Sequence, residues 1–400
     1  MRRSVPWGAL LLGASFLIPA AASAQNVTVS GQVRPRTEYR DPSGAAGDSQ
    51  LWTSLRTRLG ATYHSSGPVT AFVQVQDVRY FGEEANTLSD YRADNFDLHQ
   101  GWVQMGTEQS LALLRVGRQE ALFGGERLIG AVGWTQQGRA FDGARLGVNV
   151  TNRLRVDLLG FQISESAAPN RGFDETFWGA YGVYDAGIGR TLDVFALREY
   201  RAVDAGDTDQ WTSGLRYVAS DGGFHYRVEG AWQTGERAGA DVSAFLVGAR
   251  VGRDFAEGDA GLTLWFDYLS GTDPGSDEIG AFGTLFATNH KFYGYADLFL
   301  DIPLDTQGRG LVDMAAKGRW QFHPDWTANL DVHYFTVAQD EGLEASDLGT
   351  EIDLTLTRAL FSGLRVSGGA AYVVAGDALG TVRGIDDDVT FAYVMLDVVF

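Results

Sequence analysis

The sequence predicts an all-β protein, a closed antiparallel transmembrane β-barrel of about eighteen strands. Three observations predict this fold. Apolar and polar side chains alternate with a period of two, and the connections between the alternating segments are in turn short and long. Mean hydropathy is only −0.12, because a barrel turns its apolar residues to lipid on one face alone. After residue 24 no apolar run is long enough for a helical span, so helical spans are not expected.

The N-terminus has the pattern of a secretory signal peptide. Arg2 and Arg3 precede an apolar stretch, Trp7–Ala22, and a small-residue triplet ends at Ala24. We expect cleavage after Ala24, which divides the chain into a signal peptide (1–24) and a barrel (25–400). A membrane-anchoring helix is the alternative, but the short apolar stretch and the cleavage pattern disfavour it.

Composition excludes several classes of function. The 400 residues contain no Cys, which excludes disulfides, thiol chemistry and thiolate metal sites. The formal net charge is −19, and it becomes −21 when the two positive charges of Arg2 and Arg3 are subtracted. So acidic a chain argues against nucleic acid as a partner. No cofactor is expected.

The alternation is clearest in the first two predicted strands. In the first, the apolar side chains are Val27, Val29, Val33 and Tyr39, and the polar ones are Thr28, Ser30, Gln32, Arg34, Arg36 and Glu38. In the second, Leu51, Leu55, Leu59 and Tyr63 alternate with Ser54, Arg56, Arg58 and Thr62. We expect the apolar parity to face lipid and the polar parity to line an aqueous lumen.

Eight short and nine longer connections separate the predicted strands and place both termini in the periplasm. The short turns, expected to be periplasmic, are 64–68, 106–110, 150–152, 186–190, 220–223, 254–260, 322–325 and 359–363. The longer, extracellular loops are 41–50, 79–94, 118–138, 164–175, 201–209, 234–240, 271–310, 338–347 and 375–390. Loops 118–138 and 271–310 are long and apolar, so we expect at least one to fold inward and narrow the pore.

The last strand and the aromatic residues point to the bacterial outer membrane. Val394, Leu396, Val398 and Phe400 share the lipid parity, and a terminal Phe is typical of the signal read by the outer-membrane assembly machinery. The edge strand of a soluble sheet is the alternative. Aromatic residues near strand ends fit interfacial girdles: Tyr63, Trp178, Trp211, Trp232, Trp265, Trp320 and Trp326. Lipid bilayer, lipopolysaccharide and the assembly machinery are therefore expected partners.

The polar parity of the first third of the chain carries a series of Arg residues, namely Arg34, Arg36, Arg56, Arg58, Arg115, Arg139, Arg145 and Arg155. Only Lys291 and Lys317 are Lys among 32 basic residues. Because the planar guanidinium suits carboxylates and phosphates, the series predicts a pore lining for anionic solutes. The alternative is that each Arg pairs with an inward carboxylate such as Glu38, Asp157 or Asp193.

Later strands place acidic residues on the inward parity: Asp267, Asp313, Asp331, Glu351, Asp353 and Asp397, with Lys317 and Arg319 as a basic minority. Opposed basic and acidic walls would create a transverse field, which orders polar solutes without selecting anions. A general or otherwise selective porin is therefore the alternative function. Acidic clusters in the loops are expected to be solvated; a divalent cation bridging them to lipopolysaccharide is the sharper alternative.

An outer-membrane hydrolase is a further alternative, which the sequence disfavours. The six His residues, at 64, 99, 225, 290, 323 and 333, lie in no recognisable catalytic string, and hydrolysis needs a partnered His beside a nucleophile. His290 and Asp297 together supply only two metal ligands, which makes a metal site a weak hypothesis. We therefore expect neither enzymatic activity nor a bound metal.

Two segments resemble the alginate export family. The first reads Gly-Arg-Gln-Glu (117–120), Phe-Gly-Gly-Glu-Arg-Leu-Ile-Gly (123–130), Trp134 and Arg-Ala-Phe-Asp-Gly-Ala-Arg-Leu (139–146). The second reads Leu-Phe-Ala-Thr-Asn-His-Lys-Phe-Tyr-Gly-Tyr-Ala-Asp (285–297). Together they cover about a tenth of the chain, and the strand pattern and length agree with the family over the rest.

The resemblance implies a monomeric eighteen-stranded barrel that passes an anionic polyuronate outward through an Arg-lined constriction. Arg118, Arg127, Arg139 and Arg145 match Arg positions of the family's motif and are carried over as pore-lining residues. Two departures limit the inference: the second half of the chain is acidic, and no motif distinguishes alginate from other solutes. An anionic oligo- or polysaccharide is the solute that we expect.

Overall fold

The computed structural model describes residues 26–42, 48–83, 96–165, 174–202 and 206–400. The predicted signal peptide and parts of four predicted loops, those at 41–50, 79–94, 164–175 and 201–209, lie outside these ranges. The eighteen strands are β1 (Val27–Asp41), β2 (Gln50–His64), β3 (Val69–Tyr80), β4 (Phe96–Met105), β5 (Ala112–Gln119), β6 (Phe141–Asn149), β7 (Leu154–Glu165), β8 (Asp174–Gly187), β9 (Arg190–Ala202), β10 (Thr208–Asp221), β11 (Phe224–Arg237), β12 (Ala240–Phe255), β13 (Ala260–Leu269), β14 (Leu311–His323), β15 (Trp326–Thr336), β16 (Asp347–Phe361), β17 (Leu364–Ala375) and β18 (Val389–Val399). One short helix, α1 (Leu379–Arg383), precedes β18.

The strands form one closed antiparallel sheet. Each strand pairs with its neighbours in sequence, and β1 pairs with β18, with Arg36 opposite Met395. Closure leaves no unpaired edge, as a lipid environment requires. The predicted eighteen-stranded barrel is confirmed. Within the described ranges, no helix has the length and apolarity to cross a membrane.

The alternation of short and long connections is also as predicted, with one exception. The connection at 234–240 was expected to be an extracellular loop, but β11 continues to Arg237 and β12 begins at Ala240. Ala238 and Gly239 form a tight two-residue turn with φ of 52° and 81°, and positive φ at both positions is typical of hairpin turns. The prediction was wrong because Gly235, which suggests a loop, lies within β11.

Apolar side chains on the outward parity are exposed, as expected for a surface that contacts lipid. Leu59 and Leu264 are each about half exposed, as are many Val, Leu and Phe residues on other strands. Trp320 is also exposed and fits the predicted girdle. Trp265, by contrast, shares the inward parity of the buried Asp267, and its ring lies under the guanidinium of Arg250 at 3.9 Å. Its assignment to the girdle was wrong.

The inward parity of β6 to β9 includes a cluster of buried aromatic side chains beside its polar residues. Phe141, Phe161, Phe177 and Phe195 are at most 8% exposed. The ring of Phe286, from the β13–β14 loop (residues 270–310), lies 5.4 Å from Phe141 and 5.0 Å from Phe177. These residues form an apolar core inside the barrel. On this side the lumen is therefore filled by packed side chains, which an alternation pattern of apolar and polar residues does not reveal.

Two glycines of the family-like segment stand opposite each other where β5 and β6 begin to diverge. Gly117 pairs with Gly143, and their φ angles are 125° and 156°, in the region that favours glycine. A Cβ at Gly143 would lie 2.1 Å from the carbonyl oxygen of Gly160. Glycine at these positions thus permits the close strand approach from which the β5–β6 loop (residues 120–140) departs.

We predict that Gly143→Ala destabilises the barrel by about 1–3 kcal/mol, because Ala at this φ is strained and its Cβ meets backbone. Gly160→Ala is the matched control: it lies on the neighbouring strand, and a Cβ there meets nothing within 4 Å. Urea unfolding in detergent, followed by tryptophan fluorescence, measures both. Equal stability of the two variants would contradict the prediction.

Candidate functional site

Four inward Arg residues of β1 and β2 bind the β5–β6 loop inside the barrel. We call them the Arg wall: Arg34, Arg36, Arg56 and Arg58. Arg34 donates hydrogen bonds to the carbonyls of Gly133 (2.7 Å), Trp134 (3.0 Å) and Thr135 (2.8 Å). Arg36 donates to the carbonyl of Trp134 at 2.6 Å, and its guanidinium lies 4.0 Å over the indole ring. These side chains therefore hold the loop against the wall.

The other two members of the Arg wall continue this pattern toward the ends of the loop. Arg56 donates to the carbonyl of Gln136 at 3.4 Å. Arg58 donates to the carbonyl of Gln137 at 3.1 Å and to Glu120 at 3.3 Å. Burial alone would raise the pKa of Glu120, but hydrogen bonding to His99 and the charge of Arg58 lower it. Glu120 is thus a carboxylate at neutral pH.

The Arg wall keeps an excess of positive charge although its donors are hydrogen-bonded. Glu38 lies 2.9 Å from Arg36 and Glu120 lies 3.3 Å from Arg58, whereas Arg34 and Arg56 form no salt bridge within the described residues. Carbonyl dipoles satisfy N–H donors without cancelling a formal charge. Four cations and two carboxylates leave a net charge of about +2 on this wall.

Three further predicted residues line the periplasmic half of the lumen. Arg145 and Arg155 both bind Asp157, at 2.8 and 2.9 Å, so the carboxylate pairing considered as an alternative occurs here. Arg115 donates to Gln104 at 2.6 Å and lies 4.1 Å over the ring of Trp102. This group is separate from the Arg wall.

Two of the three remaining predicted residues, Arg139 and Arg118, differ in placement. Arg139 binds the carbonyl of Ala287 at 3.2 Å and thus ties the β5–β6 loop to the β13–β14 loop. Arg118 shares the outward parity of Val116 and pairs with Asp142 at 2.6 Å at the extracellular end of the wall. The ion pair is partly exposed, and the Arg118 side chain borders the same cavity as His99.

Arg127 of the β5–β6 loop is fully buried across the lumen from the Arg wall. Its guanidinium lies 3.1 Å from Glu229, forms a second salt bridge with Asp267, and donates to the hydroxyl of Tyr293 at 2.9 Å. Burial opposes the charge, but the two carboxylates outweigh it and raise the pKa of Arg127. This residue fixes the loop to strands β11 and β13.

Five buried carboxylates form an acidic wall on β13 to β16: Asp267, Asp313, Asp331, Glu351 and Asp353. Glu351 accepts a hydrogen bond from the backbone N–H of Ala296 at 2.7 Å. Asp353 accepts a hydrogen bond from the backbone N–H of Tyr295 at 3.3 Å. The acidic wall thus binds amides of the β13–β14 loop, as the Arg wall binds carbonyls of the β5–β6 loop.

The two loops meet in the centre of the barrel. Trp134 stacks on His290 at 4.2 Å, and Ile129 forms a parallel β-bridge with Phe286. His290 hydrogen-bonds through Nδ1 to Asp297 at 2.6 Å, which accounts for this pair without a metal. As predicted, both long loops fold into the barrel. The β5–β6 loop and the β13–β14 loop together narrow the lumen between the Arg wall and the acidic wall.

Two adjoining cavities border the β5–β6 loop on the extracellular side. One, of about 310 Å³, is lined by residues that include Arg36, Trp52 and Trp134. The other, of about 300 Å³, includes His99 among its lining residues. Both are bordered by Val78 and residues of the same loop. We call this connected space the Arg-side cleft.

Several inward Arg residues were missed at the sequence level. Arg216 binds Asp193 at 2.9 Å, Arg227 binds Glu229 at 2.5 Å, and Arg250 binds Asp267 at 2.6 Å. Their position on the inward parity of β10 to β12 was available from the same alternation that located the Arg wall. The carbonyls and amides of the loops, which are the principal partners of both walls, carry no signal in side-chain identity.

A Ser–His–Asp chain at the periplasmic rim was also missed. Ser220 and His225 face each other across the β10–β11 turn at 3.0 Å, and His225 lies 2.7 Å from Asp254. All three side chains are open to solvent. Hydrolases hold such a triad in a water-excluded site beside oxyanion donors, so we interpret this chain as a link between the turn and β12.

A closed eighteen-stranded barrel narrowed by infolded loops defines an outer-membrane channel of the porin type. The model of the alginate export family matches residues 25–392, and the chain belongs to that family. Its environment is the lipid bilayer of the bacterial outer membrane. A search of curated proteins by sequence finds no match.

Solved structures support the fold at low sequence identity. Pseudomonas aeruginosa OpdO aligns with a TM-score of 0.66 at 17% identity, covering 94% of this chain and 97% of that one. Pseudomonas aeruginosa OccK2 (OpdF), solved in complex with glucuronate, gives 0.64 at 14%, covering 94% and 96%. Acinetobacter baumannii OccAB4 gives 0.62 at 11%, covering 94% and 99%. The family and these neighbours are channel proteins rather than enzymes.

We predict that Arg127→Met lowers the free energy of unfolding by about 1–3 kcal/mol, because it removes a buried hydrogen-bond donor from Glu229, Asp267 and Tyr293. Arg227 and Arg250 still balance the charge of the two carboxylates. Arg118→Met is the matched control, since it removes an exposed ion pair worth at most about 1 kcal/mol. Urea titration of both variants in detergent measures the difference. A loss for Arg127→Met no larger than for Arg118→Met would refute the assigned role.

Proposed function

We propose that this channel conducts anionic saccharides of the uronate class, and that the solute passes along the Arg-side cleft. The observation that carries the proposal is that Arg34 and Arg56, on the inward face, form no salt bridge within the described residues. A carboxylate entering the cleft would contact Arg36 directly, and the buried Arg34 and Arg56 behind the loop would attract it through their charge. Fixed charges at a narrow passage raise the local concentration of oppositely charged solutes.

Two comparisons support uronates as the chemical class. The family is described by alginate export, and alginate is a polymer of uronates. One structural neighbour was solved with glucuronate, a single uronate. Trp52 and Trp134 border the cleft together with Arg36, so an aromatic face and a guanidinium are both available, as a carboxylated sugar ring requires.

Pore-lining roles follow from position. We propose that Arg34, Arg36, Arg56 and Arg58 act on the solute electrostatically, and that Arg115, Arg145 and Arg155 continue the path toward the periplasm. Arg127 and Arg139 would position the loop, and Arg118 would serve the outer rim. We also propose that the solute moves outward across the membrane, as the name of the family implies.

A mixed-charge porin remains the second candidate, and the acidic wall favours it. Asp331 is paired with Lys317 at 3.1 Å and Asp313 with His333 at 2.9 Å, whereas Glu351 and Asp353 accept hydrogen bonds from backbone amides of the β13–β14 loop. Opposed walls of unlike charge would orient dipolar solutes. Such a channel would show weak ion selectivity and no block by oligouronates.

We predict an anion-selective channel that oligouronates block at low concentration. In planar bilayers under a KCl gradient the reversal potential should have the sign for chloride preference. Arg56→Gln, which keeps a hydrogen-bond donor but removes the charge, should weaken the block about tenfold, as expected for one lost charge-assisted interaction. Arg253→Gln, at the periplasmic end of β12, is the control. Cation preference, or equal block in both variants, would contradict the proposal.

We also propose that residues 1–24 are removed on export and that the mature barrel is a monomer inserted by the outer-membrane assembly machinery. N-terminal sequencing of protein purified from outer membranes should read from Gln25. Light scattering in detergent should give the mass of one chain. Retention of the first residues, or a trimer mass, would overturn the respective part.

A further inference from the structure

A separate cavity of about 670 Å³ opens on the extracellular side of the apolar core, away from the Arg wall. Its barrel side consists of the ends of β8 to β11, and its other side is the β13–β14 loop. We call it the vestibule pocket; it is lined by Glu199, Gln210, Arg237, Phe286, Asp301 and Pro303, among others. The volume lies in the range of small-molecule sites.

The charges on the barrel side of the vestibule pocket are arranged in two different ways. Arg201 and Glu175 pair at 3.1 Å and cancel each other. Arg237 and Glu199 are instead held apart by the buried amide of Gln210, which accepts from Arg237 at 2.7 Å and donates to Glu199 at 3.1 Å. Within the described residues, neither has a partner of opposite charge in salt-bridge range.

The loop side of the vestibule pocket adds one acid and an apolar surface. Asp301 lies on the β13–β14 loop, and burial together with the neighbouring Asp305 raises the pKa of its carboxyl, so a cation beside it would be stabilised. Phe286 and Pro303 belong to the apolar residues that line this side. In the part of the chain that the structure describes, the pocket therefore offers one guanidinium and two carboxyls that form no salt bridge, together with an apolar floor.

Gly283 leaves space next to the guanidinium. A Cβ at this position would lie 3.3 Å from Nη2 of Arg237 and 3.8 Å from Pro303. Its N–H and carbonyl are both hydrogen-bonded to the side chain of Gln233, at 2.8 Å each. The backbone is thus fixed at the one place where a larger residue would crowd Arg237.

We propose that the vestibule pocket binds a zwitterionic solute with an apolar body, such as an apolar amino acid. The carboxylate would bind Arg237, the ammonium would lie between Glu199 and Asp301, and the body would pack on Phe286 and Pro303. A uronate could bind Arg237 through its carboxylate, but it carries no cation that could bind the two carboxyls of the pocket. The site therefore differs in chemistry from the Arg-side cleft and does not depend on the function proposed for it.

Calorimetry on the full-length barrel in detergent tests this with four probes: phenylalanine, phenylacetate, phenethylamine and glucuronate. Phenylalanine should bind at least tenfold more tightly than the two analogues that lack one charge, about the effect of one charge-assisted hydrogen bond. Arg237→Gln and Glu199→Gln should each reduce phenylalanine binding to the level of the corresponding analogue. Arg253→Gln, remote from the pocket, should bind as the parent does.

Gly283→Val provides a second variant that fills the pocket without changing its charge, and it should abolish phenylalanine binding while thermal unfolding confirms a folded barrel. Binding of phenylacetate as tight as that of phenylalanine, tighter binding of glucuronate, or no binding of any probe would overturn the proposal. Oligouronate block of conductance is measured separately, so failure of the uronate channel and failure of this site give different results.

Discussion

The interior of this barrel depends on charge-assisted hydrogen bonds between the side chains of the walls and the backbone of two loops. Irregular backbone at membrane depth is tolerated only where its polar groups are satisfied by protein or water. Arg34 and Arg36 supply donors to consecutive carbonyls of the β5–β6 loop, and Glu351 supplies an acceptor to an amide of the β13–β14 loop. Ala296 is held from both sides, since its carbonyl also accepts from Arg40 of β1.

This mode of anchoring has an electrostatic consequence. A side chain that pairs with a backbone dipole is satisfied in its hydrogen bonds but keeps its formal charge, whereas Arg145 and Asp157 cancel each other. The same residues can therefore fix a loop and retain a field in the remaining space. Positive charge persists along β1 and β2, so loop anchoring and solute attraction are not competing roles for the Arg wall.

The sequence was sufficient for the strands, because period-two alternation and turn length follow directly from a barrel in lipid. It also located Arg34 and Arg56 on the inward face. It failed where side-chain polarity was taken as the guide: Phe161 and Phe177 are inward yet apolar because a loop packs on them, and Trp265 is inward by parity, with its ring against Arg250. Arg118 entered through family resemblance, although three residues from the inward Arg115 its parity is outward.

The partners of the walls could not be predicted, because any residue type presents the same carbonyl and amide. What the sequence does encode is where the chain leaves the wall: Gly117 and Gly143 occupy conformations that other residues avoid. The two loops enter the barrel and divide the extracellular part of its lumen into two spaces. The stack of Trp134 on His290 and the packing of Phe286 against the apolar core lie between these spaces. Only the space beside the Arg wall has a net positive lining. The other balances Arg237 against acids, so one scaffold presents two unlike chemistries on either side of the same pair of loops.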